Sequence, residues 1–225
     1  MKTKLFAILV VLFFINIISG FAQSNGTAAN YTLEGYEFYK LGDYTTAIVC
    51  FTRAIEHDPY ELRNYFYRGD SYSRLEQYQN AINDCNTFIN LNTNVMYFEQ
   101  TLLVWITRGR AYISIGKYDE AINDFTHVII TGTRETSNLY DLYVSLAYHD
   151  RSRAYSAINN NNSAISDLTN SIRLNPNSAS SYYFRGLLYA SNRDYRNAKD
   201  DFYRATQLDP TNQQYLYFYQ NIPNP

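Results

Sequence analysis

Aromatic, small and apolar residues return along this chain at a spacing far longer than a helical turn. Tyr31, Tyr65, Trp105, Tyr148 and Tyr182 are separated by 34, 40, 43 and 34 residues. Four positions further on, Gly35, Gly69, Gly109, Ser152 and Gly186 repeat those steps. Ala47, Ala81, Ala121, Ala164 and Ala198 do so again, as do Phe51, Cys85, Phe125, Leu168 and Phe202. Each period places apolar residues at helical spacing on both sides of a turn such as Leu41-Gly42-Asp43-Tyr44 or Ile115-Gly116-Lys117-Tyr118. That pattern predicts two antiparallel helices of about 14 residues, each ~21 Å long. Pro59, Pro176 and Pro210 sit where the second helix must stop. Five units are predicted, at 28–61, 62–95, 102–135, 145–178 and 179–212, followed by a capping helix and tail over 213–225. Small residues in the Gly and Ala columns let the paired helices approach, and aromatics fill the wider gaps, each contributing roughly 1.5–3 kcal/mol when buried.

These columns resemble the tetratricopeptide repeat, with aromatics at repeat positions 4, 11 and 17, small residues at 8 and 20, an apolar residue at 24 and Pro at 32. Thr93 and Thr133 depart from the last column, and unit four is the weakest, with Ser152 at position 8 and Asn159-Asn160-Asn161-Asn162 across its turn. The resemblance implies an all-α, right-handed superhelical solenoid of five helix-turn-helix repeats with a C-terminal capping helix. Twelve of the 24 tyrosines occupy positions 4, 11 or 17, and for these core packing is the expected role. Position 7 is Arg68, Arg108, Arg151 and Arg185 in units two to five, and position 23 is Asp84, Asp124, Asp167 and Asp201. In unit one the two change together, to Glu34 and Cys50. An Arg–Asp bridge inside each of the last four units is therefore predicted, worth only ~0–1 kcal/mol if exposed and acting on register.

Two spacers interrupt the period. Met96–Thr101 and Thr136–Val144 read as extra turns on the first helices of units three and four, with Asn94 and Ser137 as N-caps. Their Val95, Met96, Tyr97 and Phe98, and Leu139, Tyr140, Leu142 and Tyr143, either pack on each other or form an apolar docking ridge. The capping helix carries Tyr215, Leu216, Tyr217, Phe218 and Tyr219, more apolar than a solvent-facing end requires.

Composition and charge narrow the functional classes. The formal charge is −2, with 19 Lys+Arg against 21 Asp+Glu, so the chain is poorly suited to coating nucleic acid, which requires many cations against phosphates. Met1–Lys4 is basic, Leu5–Ile18 is an apolar run broken only by Asn16, and Gly20-Phe21-Ala22 is small-x-small. Residues 1–22 thus read as a signal peptide cut before Gln23, with 23–27 a short linker. Export to a periplasm or the medium is expected, with no membrane span after cleavage; an uncleaved N-terminal anchor is the lesser alternative. On a eukaryotic route Asn25, Asn30 and Asn161 would be glycosylation acceptors. Cys50 and Cys85 are read as small buried hydrophobes rather than a disulfide framework.

The resemblance also implies that the first helices line a concave groove, through positions 2, 5, 9, 12 and 13. Among these, the partner-binding candidates are Tyr36, Tyr39, Lys40, Arg63, Phe66, Asp70, Arg74, Ile106, Arg110, His149, Arg153 and Tyr183. Counted over all such positions the wall is net +4 on an acidic body, which favours an extended ligand with acidic and apolar groups. The family's carboxylate clamp is absent: Thr32, Tyr36, Asp70, Leu103 and Thr107 stand at its five positions. His57, His127 and His149 lie in different units, and there is no phosphate loop or nucleophile elbow, so no catalytic, cofactor or metal site is expected. The leading expectation is a non-enzymatic module that binds a protein or peptide segment. The alternative is a structural subunit docked through the ridge and the C-terminal aromatics, its groove unused.

Overall fold

The computed structural model describes residues 27–92, 98–133 and 140–223. Among these residues there are eleven α-helices and no strand. Unit one is α1 (Ala28–Leu41) and α2 (Tyr44–His57), and unit two is α3 (Leu62–Arg74) and α4 (Tyr78–Leu91). Unit three is α5 (Phe98–Ser114) and α6 (Tyr118–Gly132), unit four α7 (Asp141–Ala157) and α8 (Asn161–Leu174). Unit five is α9 (Ala179–Ser191) and α10 (Tyr195–Leu208), and α11 (Gln213–Asn221) closes the stack. Each helix packs on its neighbour in sequence, so the chain is a helical solenoid. Residues 1–26, Asn94, Ser137, and Val95, Met96, Tyr97 and Leu139 of the apolar extensions lie outside the described residues.

The turn inside every unit is one local device used five times. Gly42, Glu76, Gly116, Asn159 and Arg193 all occupy repeat position 15, and all have left-handed φ between 59° and 77°. Asp43, Asn160 and Asp194 follow as N-caps whose side chains accept a backbone N–H of the second helix. The asparagine run of unit four therefore makes the same turn as glycine does elsewhere, because Asn tolerates the left-handed region.

The Gly column is explained by the apolar column opposite. A Cβ on Gly35, Gly109 or Gly186 would stand 2.8 Å from the ring of Phe51, Phe125 or Phe202, all fully buried. In unit two the partner is the smaller Cys85, and a Cβ on Gly69 would come no nearer than 3.3 Å to its neighbours. In unit four these two positions hold Ser152 and Leu168, both buried. Positions 8 and 24 thus share one volume. Cys50 and Cys85 are both free and buried, and burial pushes the Cys50 thiol up to about 11.

All four expected Arg–Asp bridges form, and they are buried rather than exposed. Arg68, Arg108, Arg151 and Arg185 each donate Nε and Nη2 to both oxygens of Asp84, Asp124, Asp167 and Asp201, at 2.7–2.8 Å. The arginine side chains are only 13–16% exposed. The remaining nitrogen, Nη1, reaches back to the second helix of the preceding unit, onto Thr52, Asn86, Thr126 and Thr169 at 2.5–3.0 Å. The aromatics at positions 4 and 11 flank each guanidinium, with ring centroids 4.4–6.0 Å away. Tyr112, Tyr148, Tyr182 and Tyr189 pack against the core as expected, but from its edge rather than its interior. Of the tyrosines at positions 4, 11 and 17 only Tyr65 is buried; the others are half-buried, and those of units two to five at positions 4 and 11 cover an ion pair. Burial outweighs the arginine in raising the carboxyls of Asp84, Asp124 and Asp201, as expected where desolvation offsets much of the attraction.

The described parts of both extensions are one helical turn each, at 98–101 and 141–144. They pack together: Phe98 meets Tyr140 edge-on at 4.9 Å, and the Tyr143 hydroxyl donates to Glu99. Val144 fills the space left by Gly132 at the end of α6. Of the described apolar residues there, Leu142 alone is exposed, at 53%.

Gly109→Ala is expected to cost about 1–3 kcal/mol in urea unfolding, because the new methyl overlaps Phe125, whereas Gly69→Ala is near neutral. Asp124→Leu is expected to cost about 3–5 kcal/mol by leaving Arg108 buried without its partner. A double-mutant cycle with Arg108→Met/Asp124→Leu checks it: the double variant is expected to lose less than the sum of the single losses.

Candidate functional site

Successive first helices touch directly, α1 with α3, α3 with α5 and α5 with α7, whereas second helices approach one another less. The stack therefore closes toward its first-helix side, which makes that side the inner wall. Hydrogen bonds cross it from helix to helix. Thr32 donates to Asn64 at 2.8 Å, Tyr39 to Asp70 at 2.8 Å and Arg110 to Asp150 at 2.6 Å, and His149 Nδ1 lies 3.1 Å from the Ser181 hydroxyl.

The first two units present an aromatic cluster. Tyr36, Tyr39 and Phe66 are half-buried around Tyr67, with ring centroids 5.0, 5.2 and 4.9 Å from it. Tyr67 itself stacks on Phe51 and so anchors the cluster to the core. Burial, then Asp70, pushes the Tyr39 hydroxyl well above the usual phenol range, so it remains a donor. Lys40 lies over Tyr36 at 5.0 Å and Arg74 over Tyr44 at 5.7 Å.

Units three to five form a cleft of about 250 Å³. Its rim carries Arg110 and Arg153, and between them Asp150 accepts from both, at 2.6 and 3.3 Å. The Asp150 side chain is 3% exposed while the two arginines are 46% and 44% exposed. The floor is a chain of hydroxyls, with Ser145 and Ser171 bonded to each other and Ser171 and Ser178 meeting Ser181. Burial holds the His149 imidazole below the usual histidine range, opposed by Asp150 and assisted by Arg153 and Arg110.

Ten of the twelve candidate residues have exposed or half-buried positions on this wall. Ile106 and Tyr183 do not. Ile106 is 2% exposed because α5 turns it into the core with Phe125 and Val128. Tyr183 is 5% exposed because Tyr215 and Phe218 of α11 cover it. The charge reading is also corrected. Every counted cation has a carboxylate partner: Lys40 with Glu37, Arg63 with Glu61, Arg74 with Asp70, and Arg110 and Arg153 with Asp150. Including those acids reduces the excess of +4 to +1, and the surplus sits where two arginines share Asp150. Sequence reasoning missed Tyr67 and Asp150, both at repeat position 6; an acid in a column otherwise held by Leu33, Tyr67, Thr107 and Phe184 was the available sign.

Tetratricopeptide repeat family models match residues 32–87 and, separately, 103–129, 146–178 and 179–212. Human RNA polymerase II-associated protein 3 is 30% identical over 96 residues, which cover 43% of this chain and 14% of that protein. The chain thus spans a small fraction of the curated relatives it matches. MamA from Desulfovibrio magneticus RS-1 superposes with a TM-score of 0.70 at 16% identity, over 83% of this chain and 97% of that one. YrrB, a TPR protein with an unusual peptide-binding site, gives 0.63 at 14% identity over 86% and 92%. At these identities the two structures show the shared fold.

Since burial depresses the folded-state pKa of His149, its neutral form favours the fold above the unfolded value of about 6.5, and that contribution is lost as pH falls through this region. Urea midpoints at pH 7.5 and 5.0 check this. The wild type is expected to lose more stability on acidification than His149→Gln.

Proposed function

The chain belongs to the tetratricopeptide repeat family, and from that premise we propose that it is a non-catalytic binding module. Its first-helix wall holds an extended segment of another exported or envelope protein, in the role of scaffold, assembly factor or chaperone. The observation that carries this reading is the continuity of one face. Half-buried aromatic rings at Tyr36, Tyr39 and Phe66 are followed along the same wall by a polar cleft with two exposed guanidiniums. An extended peptide suits such a surface, because its alternate side chains engage separated pockets while its backbone bonds to wall hydroxyls and amides. The family to which the chain belongs, and the peptide-binding site of the structurally similar YrrB, are in keeping with it. The basic leader over residues 1–22 is the support for export.

Docking through the extension ridge draws less support, because Phe98, Tyr140 and Tyr143 are engaged with each other's helices. The C-terminal aromatics are similarly occupied, with Tyr215 and Phe218 packed on Tyr183.

Panning a random twelve-residue phage-displayed peptide library over the purified protein tests the proposal. Enrichment is expected, and Tyr36→Ala/Phe66→Ala is expected to reduce capture of the enriched peptides about tenfold or more. Tyr203→Ala, on a second helix, leaves it unchanged. Enrichment insensitive to the wall variants would move the binding surface elsewhere.

A further inference from the structure

The cleft in units three to five is more specific than a generally basic wall. Asp150 is buried, so its charge is directed to Arg110 and Arg153 rather than to solvent. Arg110 commits Nε to it and Arg153 commits Nη1. Nη1 and Nη2 of Arg110, and Nε and Nη2 of Arg153, make no bond to any described residue. The shared aspartate thus fixes one edge of each guanidinium and leaves the remaining N–H groups at the cleft. The hydroxyls of the floor are bonded among themselves, and His149 is held neutral by its burial beside Ser181. Two guanidiniums against one carboxylate leave a single positive charge in excess.

Resting on the peptide-binding reading above, we propose that this cleft is a specificity pocket for one acidic side chain of the bound segment, a Glu or Asp carboxylate held between Arg110 and Arg153. A carboxylate matches planar N–H donors in pairs, and its single negative charge neutralises the local excess, whereas a phosphate dianion would overshoot it. The pocket differs in place and composition from a clamp built across units one to three, whose positions here are Thr32, Tyr36, Asp70, Leu103 and Thr107. Its lining comes from three units, Arg110 on α5, Asp150 and Arg153 on α7, and Ser180 on α9.

Peptides enriched from the random library on the wild-type protein are expected to share an acidic residue at a fixed distance from an aromatic or aliphatic one. Synthetic forms carrying Glu, Gln or phosphoserine at that position are then compared by fluorescence anisotropy. Glu is expected to bind about tenfold or more tightly than Gln, and more tightly than phosphoserine. Arg153→Gln, which leaves the shorter Arg110–Asp150 pair intact, is expected to remove most of that preference while affinity for the Gln form is retained. Arg110→Gln/Asp150→Asn/Arg153→Gln, which avoids a buried unpaired carboxylate, abolishes it. Enriched peptides without an acid, or a Glu preference unchanged in both variants, overturn the pocket and leave the groove standing. Preference for phosphoserine overturns the carboxylate assignment. Absence of enrichment removes the groove reading and the pocket with it.

Discussion

The buried Arg–Asp pair, repeated from unit two to unit five, is the interaction on which the stack depends. One guanidinium holds the two helices of its own unit through a two-point bridge and binds the preceding unit through its third nitrogen. Flanking aromatics exclude water from the pair and use their faces to offset the cation's lost hydration. Such a pair contributes little net stability when compared with a hydrophobic substitute, because desolvation consumes much of the attraction. Its effect is geometric. A helix shifted by one residue would leave a buried charge with no counterion, so one register is strongly preferred over its neighbours.

Unit one lacks this arrangement and illustrates the alternative. Glu34 and Cys50 replace the charged pair, and Tyr31 is instead flanked by His57 at 5.5 Å and Arg53 at 5.7 Å. There is no preceding unit for a third nitrogen to reach among the described residues, so the inter-unit half of the device has no work to do there. The Gly–Phe contact is retained, with Phe51 closing on Gly35. Packing complementarity is therefore common to units one, three and five, while ionic coupling appears only where a described unit precedes.

Coupling of this kind also orders the inner wall. Its side chains are positioned by contacts one unit away: Tyr39 by Asp70, Arg110 by Asp150, and the aromatic cluster by Tyr67 resting on Phe51. A wall already ordered in this way loses less side-chain entropy when a flexible segment docks. The lengthened α5 and α7 add contacts at the same junction, where their added turns pack together above the cleft-forming units.

Periodicity made the helices, the turns and the Arg–Asp pairing legible, because each repeats at a fixed spacing and depends on partners within one unit. The leader over 1–22, the N-caps Asn94 and Ser137, and Val95, Met96, Tyr97 and Leu139 lie outside the described residues. What sequence counting could not provide was burial across units. Ile106 and Tyr183 share repeat position 5 with the half-buried Thr32, Phe66 and His149, yet neighbouring elements cover them fully, Tyr183 by an extra helix that the other units lack. The apparent +4 of the wall arose more locally: Glu37, Glu61 and Asp150 lie at repeat positions outside the counted set, within three residues of Lys40, Arg63 and Arg153, and only the Arg110–Asp150 pair joins residues distant in sequence. Local pattern thus determined which residues make helices and which helix pairs meet. Tertiary packing alone decided which rings remain open and where two arginines share one carboxylate, because both depend on the unit next door rather than on position within the repeat.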